Sequence, residues 1–203
     1  MENTEIRRHR RRRRGLLALL IAGTTLVSAT SAALSLAVFT SQAAVAGNGF
    51  TAGTIVLGVS PASAILTAGA MMPGDTINGS ALVSDTGTAQ LRYSVTGIAT
   101  NPDTKGLASQ ITVTIRRADG NAGASCAAFT GDQLFSGVVG YATGNLIGNP
   151  LQGAQAGDRV LNASSSETLC FRATLPLATG DAYQGATTSM TFTFNAEQTA
   201  NNP

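Results

Sequence analysis

The chain is expected to be all-β, a two-sheet β-sandwich of jelly-roll-like type with about eight or nine short strands. Three observations carry this. Apolar residues recur at every second position in four separate stretches. Clusters of Asp, Gly, Asn and Pro separate those stretches. No segment sustains the helical period of apolar residues. Leu91, Tyr93 and Val95 alternate with Arg92, Ser94 and Thr96, and Ile111, Val113 and Ile115 with Thr112, Thr114 and Arg116. Leu169, Phe171 and Leu175 share one parity against Arg172 and Thr174, and Met190, Phe192 and Phe194 alternate with Thr191 and Thr193. Such alternation predicts half-buried strands with one wet face. Weaker patterns mark further strands at 50–59, 63–68, 76–83, 133–139 and 158–161. The breaks are turn sequences: Pro73-Gly74-Asp75, Asp85-Thr86-Gly87, Asn101-Pro102-Asp103, Asp119-Gly120 and Gly180-Asp181.

The first 37 residues read differently. Arg7, Arg8 and Arg10 to Arg14 form a basic flank, and Gly15 to Val38 carry no charge. Leu16 to Ala22 is strongly apolar, and Thr24, Thr25, Ser28, Thr30, Ser31 and Ser35 dilute the remainder. This is the layout of an export signal. Ser35-Leu36-Ala37 offers small residues before the cut, so cleavage is expected between Ala37 and Val38, with Ala43, Ala44 and Ala46 as fallback sites. The alternative is an uncleaved anchor, for which the uncharged run is long enough. No cysteine follows the apolar run as a lipid attachment point, and no second apolar segment suggests a C-terminal anchor. The expected organisation is a signal peptide at 1–37, an N-terminal segment and linker at 38–49, the sandwich at 50–198 and a tail at 199–203.

Charge then excludes whole function classes. Removing the leader's seven arginines and two glutamates leaves 6 basic and 9 acidic residues, so the pI near 8.8 belongs to the leader. A nucleic-acid-binding face needs a basic surplus that the remainder lacks. The only histidine, His9, also lies in the leader. Without histidine, His-based zinc sites, Ser-His-Asp triads and Cys-His dyads cannot form. No cofactor is expected. Cys126 and Cys170 are the only cysteines, and in an exported chain a pair reads as a disulfide. The chain-entropy treatment credits such a loop with about 4 kcal/mol. Cys170 has the opposite parity to Phe171, so the bridge is expected on the outer face of a sheet; two free buried thiols are the alternative.

Other motifs carry less. Leu175-Pro176-Leu177-Ala178-Thr179-Gly180 resembles a sortase signal with one residue too many and reads as a strand end and turn. Asn78-Gly79-Ser80 and Asn162-Ala163-Ser164 are glycosylation sequons by spacing alone. Asp75, Asp85, Asp103, Asp119, Asp132, Asp158 and Asp181 all sit in turn contexts, where Asp accepts local backbone hydrogen bonds. A calcium site built from these turns lacks the Asp-x-Asp-x-Asp loop. Glu167 and Glu197 remain as a carboxylate pair of the kind a glycosidase uses.

Three places resemble the TasA/camelysin family of exported bacterial surface and biofilm-matrix proteins. The leader runs into Phe39-Thr40-Ser41-Gln42 and then Gly49-Phe50-Thr51-Ala52-Gly53-Thr54-Ile55-Val56-Leu57. Pro73-Gly74-Asp75-Thr76 precedes a strand that ends in Asp85-Thr86-Gly87, where the family usually has Asn-x-Gly. Leu175-Pro176, Tyr183-Gln184-Gly185 and Phe192-Thr193-Phe194-Asn195-Ala196-Glu197-Gln198 close the match. The resemblance implies a jelly-roll domain, export through a SipW-type signal peptidase, and in some members fibres built by donor-strand exchange. Camelysin-type members are also described as metallopeptidases, but this chain has no His-Glu-x-x-His. It also has Gln42 where the family often has Asp, and a cysteine pair that many relatives lack.

The reading is a secreted structural protein of the cell surface or biofilm matrix that self-associates. It meets signal peptidase during export, binds no nucleic acid, and touches membrane only through an uncleaved leader. A monomeric adhesin or carbohydrate-binding sandwich is the alternative, and a peptidase the third. Val38 to Ala46 is the expected donor strand: it is uncharged, lacks proline, and places Phe39 and Val45 on one parity with Ser41 and Ala43 between. A stub left by cleavage, or a strand folded back in cis, are the competing readings of that segment.

Overall fold

The computed structural model describes residues 49–202 other than Ala124, with the domain proper starting at Thr51. Nine strands form two antiparallel sheets. They are β1 (Leu57–Ser60), β2 (Thr76–Asp85), β3 (Leu91–Ala99), β4 (Thr112–Arg117), β5 (Asp132–Val138), β6 (Gly144–Ile147), β7 (Arg159–Leu161), β8 (Ser166–Thr174) and β9 (Met190–Gln198). The first sheet runs β1-β2-β8-β4-β5. In the second, β9 flanks one side of β3 along its whole length, and the short β6 and β7 share the other side. Early strands pair with late ones, β2 with β8 and β3 with β9, so the chain is wound in the jelly-roll-like manner expected.

The core follows from parity. Ala81, Val83, Leu169, Phe171, Val113 and Ile115 face inward from the first sheet, and Leu91, Tyr93 and Val95 meet them from the second. Phe192 of β9 packs on Phe171 with ring centroids 5.0 Å apart, and Phe194 lies 6.3 Å from Tyr93. Burying one such side chain contributes roughly 1.5–3 kcal/mol.

Three sequence expectations are corrected. The strand expected over 50–59 forms only from Leu57. Thr54 to Val56 instead lies along the turn after β2, with Thr86 N–H donating to Val56 O at 3.0 Å and Thr88 N–H to Thr54 O at 2.8 Å. Gly87 permits this approach, because a Cβ there would collide with Thr54 O. The strand expected over 63–68 is a loop. Pro61 has no N–H with which to continue β1, and Ile65 and Leu66 instead fold onto the core beside Gly79, whose missing Cβ leaves room for Ile65 O. The wet face expected on β3 is also absent, since Arg92, Ser94 and Thr96 are buried. The loop 148–158 and the tail 199–202 cross Arg92 and close that face. Finally, β6 has no counterpart in the sequence reading. Its buried Leu146 and Ile147 are adjacent, so no alternation betrays it.

Candidate functional site

A sandwich exposes sheet edges, and their backbone N–H and C=O groups are open to another strand unless guarded. Three of the four edges here carry a guard. At one end of the first sheet, β1 is four residues long and stops at proline. At the other, β5 bulges: Ile115 opposes Phe135 while Arg116 opposes Gln133, which leaves Leu134 extra. β6 and β7 are four and three residues long. The fourth edge is β9. It is nine residues long, keeps regular register with β3 from Met190 to Gln198, and has no charge or proline before Glu197. Among the described residues nothing pairs with its far side. Its inward Met190, Phe192, Phe194 and Ala196 touch the core yet stay half-buried, as at a sheet margin.

The outer face of the first sheet is closed instead. Cys126 and Cys170 are joined, with Cα atoms 5.4 Å apart and both side chains inaccessible. The Cys126 loop thus lies across β8, and Phe129 covers the guanidiniums of Arg172 at 3.9 Å and Arg116 at 5.5 Å. Asn78 Nδ2 donates to Cys126 O and Ala127 O, both at 3.3 Å, and Arg172 Nε donates to Asn78 Oδ1 at 2.9 Å. The first sequon's asparagine is therefore a structural anchor. Asn162 of the second is exposed and accepts from Gln90 Nε2 at 2.7 Å. Sequence spacing alone showed the sequons; only the loop's path shows that Asn78 is engaged.

The two glutamates do not converge. Glu167 on β8 faces the interior, where its Oε1 accepts from Tyr93 OH at 2.7 Å and Arg159 Nε at 3.1 Å, and its Oε2 accepts from Arg159 Nη2 at 2.5 Å. Burial, reinforced by the hydrogen bond to Glu167, drives the Tyr93 phenol well above its ordinary value. The same hydrogen bonding to Glu167 raises Arg159. Glu197 on β9 faces the opposite way, 3.4 Å from Arg92 Nε. That contact is in ion-pair range but not aligned as a hydrogen bond. The turn aspartates are likewise occupied locally. The Thr187 and Lys105 backbone N–H groups hold Asp103 below the usual carboxylate range. The Thr130 hydroxyl and the Asn121 N–H do the same for Asp119. The remaining site residues expected from sequence, Ala37, Val38, Phe39 and Val45, lie outside the described residues.

A family model described as camelysin metallo-endopeptidase matches residues 17–202. Comparison with curated proteins gave no match. The description implies a metal ion, and the donor set does not fit one. His9 is the only histidine, both cysteines are bridged, and among the described residues no three His, Cys, Asp or Glu side chains converge. Among the described residues no helix is long and apolar enough to cross a membrane. The match nonetheless covers the closing strands, the turns and the whole sandwich, and on that extent the chain belongs to the camelysin family, the family of TasA, whose members are exported or surface-associated.

Proposed function

We propose that the chain is a secreted structural protein of the cell surface or biofilm matrix whose subunits join by strand addition. The segment Val38 to Ala46 of one subunit is the donor. The observation that carries this reading is the β9 edge, among the described residues the one long and regular margin without a guard. Donor and edge are matched in length, nine residues each, or about 30 Å of extended chain. Apart from its α-amino group the donor carries no charge, and β9 carries none from Met190 to Ala196, so pairing along that stretch buries no side-chain charge. Seven residues, 47–53, separate the donor from Thr54, whose N–H donates to Thr88 Oγ1, and seven residues span about 23 Å when extended, enough to step to a neighbour. Main-chain bonds supply affinity, and Phe39 and Val45 set register against the half-buried apolar row of β9. Among the described residues no cluster of metal-ligating side chains supports the peptidase reading.

The test compares extracellular protein starting at Val38 with a form starting at Gly47, by size exclusion and electron microscopy. The longer form is expected to be oligomeric or fibrous. The shorter is expected to be monomeric, equally folded, and able to bind a peptide of residues 38–46. A monomeric longer form, or identical behaviour of the two, refutes the proposal. A lower melting temperature in a shorter form whose parent is already monomeric identifies cis insertion instead. N-terminal sequencing of the extracellular protein checks the start at Val38.

A further inference from the structure

The outer face of β3 and β9 carries a feature unrelated to assembly. The loop 148–158 is tied down at its two ends but does not seal against the sheet. Asp158 accepts the Asn149 N–H at 3.0 Å and the Gln155 N–H at 2.9 Å, which closes the base of the loop. Gly153 N–H reaches both Glu197 oxygens, at 3.1 and 3.3 Å, which fastens its far end to β9. Between them a cleft of about 80 Å³ remains. Arg92, Ser94, Asn195 and Glu197 are contributed by the two strands, Asp158 by the loop, and Leu151 stands at the rim, 64% exposed.

The lining selects a ligand class by elimination. Two carboxylates beside a single guanidinium disfavour an anion. A metal ion is disfavoured because both carboxylates already accept backbone N–H groups and Arg92 is close by. A purely apolar ligand would leave the polar residues without partners. Two sets of groups retain capacity. Arg92 is not one of them, because its Nε is closed off from solvent and its Nη2 donates to Thr199 O and Asn202 O, so it forms the floor of the cleft. The Asn195 amide donates only weakly, to Thr193 O at 3.5 Å, among the described residues. Glu197 and Asp158 each keep free lone pairs, since a carboxylate accepts about four hydrogen bonds. Mixed donors and acceptors around a small volume, with an aliphatic rim, suit adjacent hydroxyls on an apolar ring. The cleft is shallow and open on one side, so it takes one edge of a ring and does not enclose it.

We propose that this cleft binds one edge of a neutral sugar residue, with Leu151 against the ring. A ligand seated this shallowly binds at about millimolar strength, useful only where the sugar is repeated along a polymer. An extracellular polysaccharide supplies that repetition. The proposal does not depend on the mode of assembly.

Saturation-transfer difference NMR on the purified extracellular protein tests it, because the signal is read on the ligand and tolerates large assemblies. The probes are free glucose, galactose, mannose and N-acetylglucosamine, with glucuronate as the anionic comparison. At least one neutral sugar is expected to saturate at millimolar concentration. Asn195→Ala is expected to weaken it at least tenfold, and Thr191→Ala, exposed on the same strand outside the cleft lining, to leave it unchanged. Leu151→Asp provides a second readout, since a rim side chain this exposed does not support the fold, and it too should lose binding. Absence of transfer from all four neutral sugars overturns the proposal. So does a signal that survives both cleft variants, or a glucuronate signal stronger than any neutral one.

Discussion

Replacing Glu167 by Gln tests whether the interior ion cluster holds the two sheets together. Glu167 on β8 links Arg159 on β7 and Tyr93 on β3, so it is a polar tie across the sandwich. The amide keeps the volume and one acceptor for Tyr93 OH but turns an N–H toward the Arg159 guanidinium. Losing one partner of a fully buried pair costs about 3–5 kcal/mol. The Arg159 and Glu167 side chains are 24% and 13% exposed, so water recovers part of this. The expected loss is therefore about 2–3 kcal/mol, or roughly 5–10 °C in melting temperature for a domain of this size. Tyr93→Phe alone should cost about 1.5 kcal/mol, as for a hydrogen bond to a charged acceptor. Urea denaturation of both single variants and the double variant closes the cycle, with a coupling above about 0.5 kcal/mol expected. Additive effects, or a Glu167→Gln variant within about 0.5 kcal/mol of the parent, would refute the reasoning.

Alkaline titration gives a related outcome. The Tyr93 phenol is raised on folding, so its contribution is complete below about pH 10, the unfolded value, and is lost as pH climbs above it; thermal melts should show that decline in the parent and a shallower one in Tyr93→Phe. Reducing Cys126–Cys170, or replacing Cys170 by Ala, should cost up to about 4 kcal/mol and make the loop around Phe129 protease-sensitive while the far-ultraviolet circular dichroism stays that of a β-protein. Asp85→Asn should stabilise the fold by about 1 kcal/mol in urea denaturation, because Asp85 is buried and its Oδ2 has no partner among the described residues, while the bond from the Gly87 N–H to Oδ1 is kept.

Local alternation was sufficient for the strong strands. Leu91 to Val95, Val113 to Ile115, Leu169 to Phe171 and Met190 to Phe194 all point their apolar parity inward, because a pleated strand must send alternate side chains to opposite faces. The opposite parity of Cys170 likewise placed its bridge on the outer face. Family membership was legible too, since it rests on strand-and-turn order that survives in one dimension.

What only the tertiary structure decided is how those strands are covered and which edge is left open. Arg92 and Ser94 read as solvent-facing, and they are, in parity; they are buried because a loop more than fifty residues away and the tail fold over them. Glu167 and Glu197 looked alike in sequence, yet one faces the core and the other the outer face of a different sheet. The Met190–Gln198 strand gives no local sign that its far side lacks a partner among the described residues, since pairing depends on which strands the winding brings alongside. Parity is a property of neighbouring residues and can be read along the chain; burial, pairing and edges are properties of distant residues, and they exist only once the chain has closed.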